Sequence, residues 1–306
     1  MSKRHIKIVE VGPRDGLQNE PNHVSTVVKA EFVNQLSKTG LSHIEVSSFV
    51  NPKKIPQLAD AKLLFDSIHR EKQVAYSALV PNKKGLYAAL ESRVDSIAVF
   101  TAASNTFCEK NINCTIEESI DRFIPVIALA KTKSIPVRAY VSCVLGCPYE
   151  GYIQPEKVSE VAARLWELGC YEISLGDTIG AGTPNQARRM IEDSSRVVPM
   201  EKLAVHFHDT RGQALANIFA AIEMGISTID SSVAGLGGCP YANGATGNVA
   251  TEDVVYLLQG MGFETGIDLE KLINAGKYIC AEIDRKNQSK IGFAGLPMGY
   301  DVYEKS

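Results

Sequence analysis

EISLGDTIGAGTPNQARRMIEDSSRVVPMEKLAVHFHD, residues 172–209, contains one complete structural unit. Glu172 to Leu175 is an apolar run of strand length, Pro184 to Val198 sets apolar residues at helical spacing, and Ala204 to Phe207 is a second strand-like run. Thr183-Pro184 places a capping threonine before a proline at the first helical position, where a missing N–H costs nothing. Two strands joined only by a helix must run parallel, so the unit is βαβ.

The unit recurs on both sides. Further strand-like runs lie at Ile6 to Val11, Ile44 to Ser48, Val74 to Val80, Ser96 to Phe100, Val137 to Val141 and Thr228 to Val233, which makes eight in all. Helical patterns fall between them at Val27 to Ser37, Gln57 to Ile68, Lys83 to Leu90, Glu117 to Thr132, Pro155 to Leu168 and Ala214 to Met224, and another follows at Glu252 to Gln259. Thr115-Ile116-Glu117-Glu118 reads as a capping box, and Gly40, Gly169, Gly225 and Gly262 each stand where a left-handed residue ends a helix. Eight evenly spaced units favour closure into a (β/α)8 barrel over a doubly wound open sheet. Leu269 to Arg285 reads as one or two additional helices before a short tail. The expectation is therefore an α/β fold, a single TIM-barrel domain over residues 1–306 with a helical C-terminal extension from about residue 266.

Composition limits the function. With 45% hydrophobic and 22% charged residues, the chain has material for a large core and no charge excess of the disordered kind. A formal charge of -3 and a pI near 6.1 argue against a dedicated nucleic-acid partner. The longest near-continuous apolar stretch, Phe123 to Ala130, contains Pro125 and is too short for a bilayer, so no membrane partner is expected. The start, MSKRHIKIVE, enters a strand-like run without an apolar signal core or amphipathic leader, and a cytoplasmic location is expected. The seven cysteines at 108, 114, 143, 147, 170, 239 and 280 are odd in number and scattered, the pattern of reduced thiols that serve mostly as small core residues.

Barrels of this kind work at the C-terminal ends of their strands. After the first strand comes Val11-Gly12-Pro13-Arg14-Asp15-Gly16-Leu17-Gln18, within the second Glu45, and after the sixth Gly176-Asp177-Thr178. His206 and His208 stand two apart on a strand and so share a face, which makes a chelate of two imidazoles. With Asp15 and a side-chain amide they form a mixed nitrogen and oxygen site that suits Mg or Mn better than structural zinc. Beyond the eighth strand, Ala234 to Asn248 is rich in glycine and sets Cys239 against Pro240; it matches neither a dinucleotide-binding nor a Walker loop. On its residues alone it is either a flexible surface loop or a lid bearing a catalytic group.

The strings VEVGPRDGLQNE, SCVLGCPYEG, ISLGDTIGAGTP, VHFHDTRGQALAN and VAGLGGCPYANGATGN together resemble the 3-hydroxy-3-methylglutaryl-CoA lyase family, from about Ile6 to about Lys286. The resemblance implies that Asp15, His206, His208 and Asn248 bind a divalent metal, Mg or Mn, and that Arg14 contacts the substrate. It further implies that Cys239 is a mobile catalytic thiol and that Gln18, Glu45, Ser48, Tyr140, Ser174 and Asp177 line the acyl pocket. Isopropylmalate, homocitrate and citramalate synthases share the paired histidines and the early Arg-Asp, but carry a Gly-Glu-Arg-x-Gly-Asn type motif where this chain has the cysteine loop.

The implied reaction is a retro-Claisen cleavage of 3-hydroxy-3-methylglutaryl-CoA to acetyl-CoA and acetoacetate, of use in leucine degradation and ketogenesis, by a homodimer. In it, Asp15 or His206 would take the hydroxyl proton, Arg14 would stabilise the enolate oxygen and Cys239 would deliver a proton to the acetyl carbon. The competing readings are a condensing acyltransferase and a non-catalytic acyl-CoA or metal-binding barrel.

Overall fold

The computed structural model describes residues 4–238 and 247–300. Its eight strands are β1 (Lys7–Glu10), β2 (His43–Ser48), β3 (Ala75–Leu79), β4 (Ser96–Ala102), β5 (Val137–Ser142), β6 (Glu172–Asp177), β7 (Leu203–Phe207) and β8 (Thr228–Ser231). They pair in sequence order, all parallel, and β8 returns to β1 with Lys7 opposite Thr228 and Val9 opposite Asp230. The expected TIM barrel is the observed fold.

Strand alternation divides the side chains between two environments. Val137, Ala139 and Val141 of β5, like Ile173 and Leu175 of β6, lie in the apolar layer between barrel and helices. Arg138 and Tyr140, with Glu172 and Ser174 opposite them in register, belong to the other face of their strands and are buried. The outer layer is completed by helices α1 (Thr26–Ser37), α2 (Ala61–Ser67), α3 (Lys83–Glu91), α4 (Asn105–Ile112), α5 (Ile116–Thr132), α6 (Pro155–Glu167), α7 (Pro184–Ser195), α8 (Ala214–Met224) and α9 (Thr251–Gly260). Their buried residues, among them Leu36, Val126, Leu165, Ile191, Ile218 and Leu258, join that layer.

The end signals hold. Thr115 and Glu118 form the capping box of α5, and Gly40, Gly169, Gly225 and Gly262 all have positive φ. Three local details differ from the sequence reading. The helix expected from Gln57 begins only at Ala61, because the Gln57 carbonyl accepts from the Lys29 ammonium while its side chain bonds Val24 N and Asn22 O. Helix α4 buries just Phe107 and Cys108, too little apolar periodicity to announce itself. The tail expected after Arg285 includes a short helix, α11 (Lys290–Ala294), following α10 (Leu269–Glu282).

This C-terminal segment touches the chemistry end of the barrel. Arg285 Nη2 donates to Gly237 O at 2.5 Å and Gln288 N to Ala234 O at 3.0 Å, so both tie down the backbone just past β8.

Candidate active site

After β1 the chain makes one wide turn, Gly12–Gly16, in which the amides of Asp15 and Gly16 both donate to Val11 O, at 2.7 and 3.2 Å. Such π-type turns widen a backbone locally and recur at functional sites. Gly16 allows it: a Cβ there would fall 2.7 Å from both the Leu236 and Ser232 side chains. The turn presents Arg14, buried, and Asp15, partly buried.

Arg14 is held on three sides. Its Nε donates to Glu45 Oε1, its Nη1 to Asp15 Oδ1, and its guanidinium lies 5.6 Å from the centre of the Tyr140 ring. Tyr140 in turn donates its hydroxyl to Glu45 Oε2 at 3.1 Å. A guanidinium fixed in this way is a preorganised positive charge, the device that stabilises an oxyanion without reorganisation.

Asp15, His206 and His208 converge so that one ligand atom from each lies within 4.8 Å of the others. Asn248, which bridges to His208 across the backbone, donates its Nδ2 to Asp15 Oδ2 at 2.8 Å and to Leu236 O at 3.2 Å. Gly237 makes room for that amide, since a Cβ there would come within 2.8 Å of it and its φ is +117°.

Burial favours the neutral form of Asp15, but the Arg14 guanidinium and the two imidazoles outweigh it and hold the carboxyl well below the usual carboxylate range. Burial and the neighbouring His206 push His208 down to about 4. At neutral pH the cluster therefore offers a carboxylate and an uncharged imidazole, the forms that ligate metals.

A cation fits this donor set on direct grounds. His208 Nδ1 is buried and has no hydrogen-bond partner among the described residues, a costly state that a metal or ligand would relieve.

Beneath the cluster lies a second group of polar residues that the sequence reading did not single out. Asp230 accepts both Nη atoms of Arg138, at 2.9 and 2.7 Å, the Ser174 hydroxyl at 2.7 Å, and meets His206 Nδ1 at 3.3 Å. Glu172 joins Arg138 to Lys7, at 2.6 Å on each side. Their inward strand positions were the available signal; their mutual pairing was not.

Of the residues expected at the site, the structure thus joins Arg14, Asp15, Glu45, Tyr140, His206, His208 and Asn248 in one cluster, and brings in Ser174 through Asp230. Ser48 is buried at the end of β2 and donates to Leu79 O at 3.2 Å. Asp177 ends β6 and accepts the amides of Ala181 and Gly182, at 3.1 and 2.8 Å, which gives it a local loop-closing role in this structure. Gln18 is half-buried just past the Arg14 turn. Cys239 lies outside the described residues.

Fold and site together define a (β/α)8-barrel enzyme with a mixed nitrogen and oxygen cluster at the C-terminal ends of its strands. Residues 5–279 match the family described as HMGL-like, and the chain belongs to that family. It is 57% identical over 292 residues to the cytoplasmic 3-hydroxy-3-methylglutaryl-CoA lyase of Rattus norvegicus, with 95% of this chain and 85% of the relative covered. A mitochondrial hydroxymethylglutaryl-CoA lyase of Macaca fascicularis is 54% identical, with 95% of this chain and 90% of the relative covered.

Among solved structures, the hydroxymethylglutaryl-CoA lyase of Pseudomonas aeruginosa superimposes with a TM-score of 0.94 at 53% identity, covering 96% of this chain and 98% of that one.

Proposed function

We propose that this chain cleaves 3-hydroxy-3-methylglutaryl-CoA to acetyl-CoA and acetoacetate by a divalent-metal-assisted retro-Claisen reaction. The observation that carries the reading is the meeting of Arg14 with Asp15, His206, His208 and Asn248 in one cluster, on a chain of this family. Asp15, His206, His208 and the carbonyl oxygen of Asn248 would hold the cation. Bound there, Mg or Mn supplies Lewis-acid polarisation of the substrate hydroxyl.

The remaining steps belong to the protein. Asp15 and His206 are the candidate acceptors of the hydroxyl proton, and Arg14 stabilises the ionised form of Asp15. As the C2–C3 bond breaks, its electron pair passes into the thioester, and Arg14 is assigned to the resulting enolate oxygen. Glu45 and Tyr140 keep the guanidinium in place for that role, and Cys239 is assigned delivery of the proton to the acetyl carbon. Gln18, Ser48, Ser174 and Asp177 are assigned to the acyl pocket.

Magnesium or manganese is preferred because the donors are nitrogen and oxygen with no thiolate among the described ligands. The whole chain is read as one catalytic domain that works as a homodimer in the cytoplasm, in leucine degradation or ketogenesis. Six described cysteines, all free and buried, agree with a reducing compartment, and no helix among the described residues is long and apolar enough to cross a membrane.

The experiment is direct. Acetoacetate should appear from 3-hydroxy-3-methylglutaryl-CoA when Mg is supplied and fall to background after chelation. Release of free CoA from acetyl-CoA plus a 2-oxo acid, without acetoacetate formation, would instead make the enzyme a condensing transferase.

A further inference from the structure

Asp230 is buried in the barrel interior, where it is the ion-pair partner of the buried Arg138. Its carboxylate takes four contacts: two from Arg138, one from Ser174 and one with His206 Nδ1. Barrel register explains the last of these, because His206 and Asp230 are direct partners on adjacent parallel strands. Arg138 and Glu172 are likewise register partners, and Glu172 Oε2 also accepts from Thr228 Oγ1 at 3.2 Å and from Lys7.

The result is an unbroken line, Lys7, Glu172, Arg138, Asp230, His206, in which two acids and two bases balance before the histidine is reached. Such a line is costly to build, since ion pairs taken out of water often stabilise less than an apolar core of the same volume. Its use must then lie in what it does to the residue at its end.

We propose that Asp230 is the positioning residue of His206, and that the Lys7–Glu172–Arg138 line exists to keep Asp230 ionised and aimed at it. An ionised carboxylate can only accept, so contact with Asp230 makes Nδ1 of a neutral His206 the donor. The lone pair is thereby left on Nε2, the nitrogen that lies 3.9 Å from Asp15 Oδ2 in the cluster. Tyr140 reinforces the orientation: its ring meets the His206 ring edge-on at 5.8 Å and stacks over Arg138 at 5.0 Å. Among the described residues His208 has no such support, since none of them partners its buried Nδ1. The line therefore prepares one imidazole of the pair in advance of any ligand. The consequence for metal affinity rests on the cation reading given above, but the tautomer does not.

The first test uses the wild-type enzyme free of metal. Nitrogen-15 NMR of its histidines, with His206→Gln to identify the resonance, should show His206 as the Nδ1–H tautomer, against the Nε2–H form that free imidazoles prefer. An Nε2–H tautomer overturns the proposal even if the enzyme binds metal and turns over.

The second test removes a balanced pair of charges. The double variant Asp230→Ala/Arg138→Met should lose the fixed tautomer and bind Mn, followed by electron paramagnetic resonance, about 10- to 100-fold more weakly, with an unchanged circular dichroism spectrum. Binding as tight as wild type in the folded double variant also overturns it. If that variant does not fold, the wild-type tautomer decides alone. If His206 is Nδ1–H yet wild type binds no Mn, the positioning stands and the metal reading fails.

Discussion

At the N-terminal end of the barrel interior, Lys7, Glu172, Arg138 and Asp230 answer one another with ion pairs of 2.6 to 2.7 Å. At the C-terminal end, the buried Nδ1 of His208 has no partner among the described residues, and Asp15 shares its charge between Arg14 and the Asn248 amide. The Tyr140 ring stands between the two, with a guanidinium from each region within 5.6 Å of its centre. The same residue types are thus closed on themselves at one end and left open at the other. Polar groups that satisfy one another make a scaffold, and those left unsatisfied make a site, because only they gain by binding something.

If the contrast is sound, substitutions in the two regions must fail differently. His208→Ala should show the largest effect on turnover, a loss of about 10³-fold or more, because it removes a donor to the cation. Its thermal stability should stay near wild type or rise, since the atom it deletes was unsatisfied. Unchanged Mn affinity in this variant would place the metal elsewhere.

Arg138→Met should do the reverse. It strips the shared partner from Glu172 and Asp230, both buried, and breaking a buried pair on one side only costs about 3–5 kcal/mol of stability. The thermal midpoint should fall by several degrees, and the double variant with Asp230→Ala should recover part of that loss. No change in the midpoint of the single variant would show that the ionic line contributes nothing to the scaffold.

Much of the contrast could be read from the sequence, but not all. The eight strands, the helix stops at Gly40, Gly169, Gly225 and Gly262, and the paired histidines follow from local period and local chemistry, which short windows contain. The Arg138–Asp230 pair joins residues 92 positions apart and the Arg138–Glu172 pair residues 34 apart, so no window holds both partners. Only closure of the barrel, with its register, brings them together. Asp177 is a different case: at the end of β6 it accepts two loop amides, contacts that its position in the sequence does not announce.

Arg14→Gln sharpens the comparison within the open region. Glutamine can keep a contact to Glu45 but carries no charge, so turnover should fall by about 10²-fold while substrate binding changes less, the mark of a group that acts as charge develops. Equal effects on kcat and on binding would make Arg14 an anchor for the ground state.

The smallest effect is expected at a third place, the root of the glycine-rich stretch, where two buried carboxyls meet. Glu10 accepts the amides of Gly12 and Val233, at 2.8 and 2.9 Å, and the Thr251 hydroxyl at 2.6 Å, while both oxygens of Glu252 face the amide of Ala234. Burial, only partly offset by these bonds, pushes Glu10 up to about 7 and Glu252 to about 8, and the Glu10 carboxylate further disfavours ionisation of Glu252. An acid whose folded value lies above its unfolded one binds its proton more tightly when folded. Its contribution is complete below the unfolded value of 4.5 and is lost as pH rises through 7 to 8.

The thermal midpoint of the wild type should therefore decline between about pH 4.5 and about pH 8 at fixed ionic strength, and level off above that. Glu252→Gln keeps an acceptor for Ala234 and removes the ionisation, so its decline should be shallower and the two curves should converge toward low pH. Calorimetry at a series of pH values measures both, and parallel curves would show that Glu252 does not titrate in this range and that the root of the loop is as closed as the ionic line beneath it.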